Sequence, residues 1–185
     1  KNIDFKNFKS KKTNKKIFSS LKKLLEEDNE ILRSLQKTYK DSFEKKTISK
    51  LKKFTEINII GMGGSVLGSR SIYSFLKKRI KKNFYFKDNL EEAELNLKNK
   101  KKSLNLIISK SGNTLETISN SNILLNKKIE NIFITENRKS YLMNLAQKLK
   151  SEVIFHNNFI GGRYSVLSEV GMLPARLMGL NVNKF

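Results

Sequence analysis

Three short stretches concentrate the side chains that can do chemistry. Gly61-Met62-Gly63-Gly64-Ser65-Val66-Leu67-Gly68 puts glycines where a backbone must turn tightly or let a ligand approach it, with Ser65 following at once. Ser109-Lys110-Ser111-Gly112-Asn113-Thr114-Leu115-Glu116-Thr117 gathers four hydroxyls and an ammonium. Ahead of a helix, such a set suits the acceptor oxygens of a phosphomonoester. Capping explains part of it, since Asn113 as N-cap with Glu116 three residues on forms a capping box. That reading leaves Ser109, Ser111 and Thr114 unexplained. The third stretch, Gly161-Gly162-Arg163-Tyr164-Ser165-Val166-Leu167-Ser168-Glu169-Val170-Gly171, holds a guanidinium behind two glycines. A dinucleotide loop is the rival for the first stretch, with Asp88 as its ribose-binding acid. It fits poorly, because the third glycine of G-x-G-x-x-G would fall at Val66.

These stretches need elements to hold them. Apolar runs at Ile57-Asn58-Ile59-Ile60, Phe84-Tyr85-Phe86, Leu104-Asn105-Leu106-Ile107-Ile108, Asn131-Ile132-Phe133-Ile134 and Val153-Ile154-Phe155 read as buried strands. Helical spacing falls between them over 69–80, with Ile72, Phe75 and Leu76 inward, and over 90–100. It returns over 114–126, with Ile118, Ile123 and Leu124 apolar, then over 141–150 and 165–178. Alternation of this kind means an α/β protein with a parallel sheet and right-handed crossovers. Five strands suit the flavodoxin-like order 2-1-3-4-5, in which ligands bind beyond the carboxyl ends of strands one and three. The first two chemical stretches follow those two strands. Upstream, Ile17, Leu21, Leu24, Leu25, Ile31, Leu32 and Leu35 repeat at helical spacing over 14–40, and core contact is expected of them. The chain divides into a helical segment over 1–53 and a sheet domain over 54–185.

Composition excludes several classes. Cysteine is absent, so disulfides and thiolate metal sites are impossible. No run approaches the about 20 apolar residues of a membrane span, and Lys1-Asn2-Ile3-Asp4-Phe5 shows no secretory h-region. A cytoplasmic protein is expected. The chain opens without an initiator Met and is expected to be a fragment. The 38 basic and 17 acidic residues give +21, which invites a nucleic-acid reading. The excess is spread along the chain as Lys among Asn and Ile, and aromatics interleaved with Arg are lacking. A solvated basic surface is expected, with no nucleic-acid partner.

The Gly-Gly-Ser after strand one and Ser-Lys-Ser-Gly-Asn-Thr after strand three resemble sugar isomerase (SIS) domains, which occur in isomerases, aminosugar synthases and sugar-phosphate-sensing regulators. The third stretch closely resembles the signature G-G-R-[YF]-S-x-x-S-x-x-G of glucose-6-phosphate isomerases, with Ile160 before it and Leu173-Pro174 after it. The likeness covers residues 56–180, and the first 55 match only in being helical. It implies that Gly64 and Ser65 line a sugar-phosphate site, and that Ser109, Lys110, Ser111 and Thr114 hold the phosphate. Arg163 would lie over the C1 and C2 oxygens and stabilise an enediolate during interconversion of glucose 6-phosphate and fructose 6-phosphate in glycolysis and gluconeogenesis. A guanidinium aimed at charge that appears only in the transition state lowers the barrier. The resemblance implies no cofactor, no metal, and a homodimer in the full-length enzyme.

Family members abstract the proton with a Glu and open the ring with a His (from the adjacent subunit) and a Lys. All three lie C-terminal of the arginine signature, so this chain by itself is expected to be inactive. Glu116, explained by capping, and Glu169, a turn or so into the last helix, are poor substitutes. His156, the only histidine, follows strand five, matches no family position, and is expected to be structural or solvent-exposed. The alternative is a non-catalytic SIS module that binds a sugar phosphate for regulation, which leaves the arginine signature unexplained. A nucleic-acid binder explains only the charge, and an NAD-linked oxidoreductase fails at Val66.

Overall fold

The computed structural model describes residues 14–90, 102–126 and 128–184. Helices α1 (Lys15–Glu26), α2 (Glu30–Ser34) and α3 (Lys45–Leu51) lead into β1 (Glu56–Gly61), α4 (Gly64–Leu76), β2 (Asn83–Lys87) and β3 (Ser103–Ile108). Then come α5 (Leu115–Leu124), β4 (Glu130–Thr135), α6 (Tyr141–Lys148) and β5 (Glu152–Phe155). A 3-10 segment (Gly162–Leu167) feeds α7 (Glu169–Leu177). Every strand pairing is parallel, in the order β2-β1-β3-β4-β5. This is the flavodoxin-like order that the strand–helix alternation predicts.

Strands buried on both faces need continuous apolar runs, and β1 and β3 are buried at every position. One face carries Ile57, Ile59, Leu104, Leu106, Ile132 and Ile134 against Leu51, Val66, Val170 and Leu173 of α3, α4 and α7. The other packs Ile60, Ile107 and Phe133 on Leu124 of α5 and on Leu142 and Ala146 of α6. Each fully buried Ile or Leu contributes about 1.5–3 kcal/mol.

That second face is polar toward the amino ends of the strands. Asn58 donates through Nδ2 to Asn105 at 2.8 Å, Asn105 to Asn131 at 2.9 Å, and Asn131 to the Ile129 carbonyl at 3.0 Å. The three asparagines are register partners across β1, β3 and β4. A slip of one residue would bury these amides against carbon on the opposite face, so the ladder specifies alignment as well as adding bonds.

Several boundaries depart from the sequence reading. The helix expected over 14–40 breaks at 27–29, where Asn29 accepts from the Ile31 N–H and starts α2 afresh. Nor does α1 bury its stripe: Ile17, Phe18, Leu21, Leu24 and Leu25 are all exposed, because no described element faces it. The helix expected over 69–80 starts earlier, directly out of the glycines, and Phe75 is 89% exposed rather than inward. Ile123 is likewise exposed while Leu124 is buried, since only one side of α5 meets the sheet. The last helix begins at Glu169 rather than Ser165, the preceding turn being 3-10. Beyond Leu90, the helix expected over 90–100 lies outside the described residues. Among the described residues, no helix is long and apolar enough to cross a membrane, and no His, Asp and Glu cluster could hold a metal.

Asn105→Ala strips a buried donor from Asn131 and a buried acceptor from Asn58. Chemical denaturation should show a loss of about 2–4 kcal/mol, the penalty for two unpaired buried groups. A loss within about 0.5 kcal/mol, the range of a neutral surface change, would mean that the ladder is not closed.

Candidate functional site

The two glycine- and serine-rich stretches leave the sheet side by side because β1 and β3 are neighbours. Gly61 pairs with Ile108 at their carboxyl ends, and a Cβ on Gly61 would lie 2.7 Å from the Ile108 carbonyl oxygen. Gly63 then turns with φ +55°, a conformation that L side chains rarely adopt, and α4 begins at Gly64.

The arginine stretch lies directly on this turn. A Cβ on Gly64 would fall 2.2 Å from the Gly162 carbonyl oxygen, so the contact exists only because residue 64 has no side chain. Ser165 locks it by donating from Oγ to the Gly162 carbonyl at 2.8 Å and to that of Gly64 at 3.4 Å. Gly68 and Gly171 extend the seam, each leaving room only for Val166. Arg163 projects outward from this seam, exposed. Neither its guanidinium nor the Ser65 hydroxyl has a partner among the described residues, so both are open to a ligand.

Beyond β3, three hydroxyls meet. Ser109 Oγ lies 2.9 Å from Thr114 Oγ1, and Ser111 Oγ 3.4 Å from the same atom. The Gly112 and Asn113 N–H groups donate to Ser109 and Ser111 Oγ, both at 3.2 Å. Thr114 occupies the N-cap of α5 without a capping side-chain bond, so its hydroxyl stays in the cluster. Donors gathered at a helix start make an anion site. Thr117, the fourth hydroxyl of the stretch, is buried and does not join it. Gly112 is required twice over: its φ is +66°, and a Cβ would sit 2.2 Å from Ser140 Oγ.

Two residues of this loop have other partners than their sequence suggests. Asn113 does not cap α5. It accepts from the Tyr141 N–H at 2.9 Å and so fastens the loop to the start of α6. Lys110 turns its ammonium away from the hydroxyls, donating to the Asn158 carbonyl at 2.5 Å and lying 3.4 Å from Glu136. Glu136 also holds Arg138 at 2.9 Å. Lys110 thus joins the hydroxyl loop to the segment that leads into the arginine stretch.

His156 follows β5, buried, and is neither solvent-facing nor free. Its Nδ1 is 2.5 Å from Glu169 Oε1 and its Nε2 3.0 Å from the Ile160 carbonyl. Glu169 further accepts from the Asn157 N–H at 3.3 Å and from the Tyr39 hydroxyl at 3.0 Å, while Asn157 donates to Tyr39 at 2.8 Å. Burial pushes the Glu169 carboxyl up, but the hydrogen bonds from His156, its own backbone and Tyr39 outweigh this and hold it below the usual range. Nothing in the helical spacing of the lead-in marks Tyr39. The one sequence signal was a lone His and a Glu bracketing the arginine stretch.

Asp41, beside this network, is pushed up to about 6, chiefly by burial, against the pull of Arg176. A carboxyl raised in the fold stabilises it most at low pH, and that benefit disappears as pH rises through about 6. Glu169 has the opposite sign, stabilising above the ordinary carboxylate range and losing its effect as pH falls below it. In thermal melts across the acid range to neutrality, Asp41→Asn should remove the decline between about pH 4 and 6. An unchanged profile would show that Asp41 ionises normally.

Relatives with this sequence pattern are known. The family model described as phosphoglucose isomerase matches residues 8–184. The chain is 38% identical to the glucose-6-phosphate isomerase of Borreliella afzelii over 141 residues, which is 66% of this chain and 26% of that enzyme. It is 33% identical to the glucose-6-phosphate isomerase of Methanocaldococcus jannaschii over 169 residues, 85% of this chain and 41% of the relative. Among solved structures, a hypothetical protein from Thermus thermophilus superposes with a TM-score of 0.67 at 22% identity, covering 91% of this chain and 47% of the other. The chain therefore spans between 26% and 41% of the length of these curated relatives, and within that span it belongs to the phosphoglucose isomerase family.

Proposed function

We propose that this chain supplies the phosphate-binding loops and the enediolate-stabilising arginine of a glucose-6-phosphate isomerase. The observation that carries the proposal is the seating of the Gly162 carbonyl on Gly64, which brings Arg163 beside the turn that the hydroxyl loop adjoins. Ser109, Ser111 and Thr114 receive the phosphate, with the α5 start adding its N–H groups. Gly64 and Ser65 line the sugar. Arg163 meets the oxygens on C1 and C2, where negative charge develops as a proton passes between the carbons. Lys110 contributes by tying loops together, its ammonium being held by Asn158 and Glu136. A regulatory module that only binds sugar phosphate would need the hydroxyl loop but not the glycine seam beneath Arg163. The homodimer implied by the family belongs to the same proposal.

The two roles separate kinetically in a competent isomerase that contains this chain. Ser111→Ala with Thr114→Ala should raise KM far more than it lowers kcat, since binding common to ground and transition states is lost. Arg163→Ala should lower kcat by about 10²-fold or more, as for loss of one preorganised donor. An unchanged KM in the first case or a normal kcat in the second removes those residues from the site.

We assign the proton to neither candidate carboxylate: Glu169 is sealed against His156, and Glu116, which makes none of the capping bonds its spacing suggested, stands at the α5 start beside the hydroxyls that receive the phosphate. A general base contributes about 10² to 10⁴-fold, so the 185-residue chain alone should show no turnover in a coupled isomerase assay. Robust turnover free of host enzyme would assign the base to Glu116, Glu169 or His156 and overturn this division of labour.

A further inference from the structure

The buried network around Glu169 has a position that its chemistry alone does not explain. His156 is the first residue after β5, anchored to the sheet by its N–H donating to the Thr135 carbonyl at 2.9 Å. Glu169 is the first residue of α7. The segment between them, Asn157 to Ser168, holds Gly161, Gly162 and Arg163 at its centre. One bond of 2.5 Å between two fully buried side chains therefore closes the base of the loop that presents the guanidinium.

The closure is reinforced at each point where the loop could swing. Nε2 can only donate to the Ile160 carbonyl, which fixes the backbone immediately before Gly161. Nδ1 lies against a carboxylate oxygen, so that contact is to a charged group. The second oxygen of Glu169 takes the Tyr39 hydroxyl, and Tyr39 accepts from Asn157, the next loop residue. Nearby, Ser42 donates from Oγ to the Phe155 carbonyl. The helical lead-in thus holds the same base from outside.

We infer that Glu169, acting through His156, Asn157 and Tyr39, is a positioning group for Arg163, and that this tie orders the arginine loop before substrate arrives. Glu169 touches no substrate. It removes the conformational freedom of a loop that must otherwise be ordered on binding, and a preordered donor stabilises charge without reorganising. The inference rests on the reading that Arg163 meets the reacting oxygens, and its test separates the two.

The 185-residue chain is compared with Glu169→Gln, with the milder Tyr39→Phe in case the first fails to fold, and with Arg163→Ala. Hydrogen exchange of the amides from 157 to 168 is measured beside exchange in β1 and β3, the internal standard for global stability. Affinities are measured for inorganic phosphate and for 5-phosphoarabinonate, a sugar-acid phosphate whose planar carboxylate imitates the enediolate. Glu169→Gln and Tyr39→Phe should speed exchange in the loop by about tenfold or more, the effect of losing a hydrogen bond to a charged group, with β1 and β3 unchanged. Both should leave phosphate affinity as it was and reduce the preference for 5-phosphoarabinonate toward that of Arg163→Ala. Unchanged loop exchange, or exchange raised equally in β1 and β3, overturns the positioning role. So does a faster loop with full preference for 5-phosphoarabinonate when Arg163→Ala has lost it. If Arg163→Ala keeps that preference, the assignment of Arg163 fails instead, while loop exchange still decides whether the tie orders the segment.

Discussion

The site depends on two stretches of backbone, distant in sequence, meeting with nothing between them. Gly162 presents its carbonyl to the Cα of Gly64, and any side chain at residue 64 would have to occupy the space of that oxygen. Similar absences recur at Gly61 against the Ile108 carbonyl and at Gly171 against the Val166 carbonyl. Packed interiors cannot stretch to absorb a methyl group pressed on backbone. The glycines therefore set the distance between the sheet edge and the arginine loop. The loop in turn sets where a guanidinium can reach, and helix α7, buried along nearly its whole length, holds the loop from behind.

Charge is divided with similar economy. The chain carries +21, yet two carboxylates near the site are engaged in structure, Glu136 holding Lys110 and Arg138 and Glu169 holding His156, while Glu116 in the first turn of α5 is left without a partner among the described residues. Pairing Lys110 to Glu136 and Asn158 uses a cation to join loops, and in the proposed site it leaves hydroxyls and helix N–H groups to meet the phosphate. Arg163 is exposed and without a partner among the described residues, as its proposed role requires.

The alternation of apolar runs with helical spacing determined the α/β class and the strand order, because parallel strands buried on both faces admit little else. The glycines and hydroxyls after strands one and three marked the edge where we propose that a ligand binds, for the physical reason that unpaired N–H groups gather at helix starts. Local patterns, however, record what each segment prefers and not what it meets. The stripe on α1 reads as core and lies exposed, since amphipathicity needs a facing surface to be satisfied. Asn113 reads as the cap of its own helix and serves α6, while Lys110 reads as a phosphate ligand and serves Asn158 and Glu136. His156 and Glu169 bracket the arginine stretch in sequence, but nothing there shows that they meet or that Tyr39 joins them. Only the folding of the lead-in and α7 onto the end of β5 brings His156 and Glu169 into a dry space where each must find a partner, with half-buried Tyr39 at its edge. Burial, which no local pattern encodes, imposed that choice.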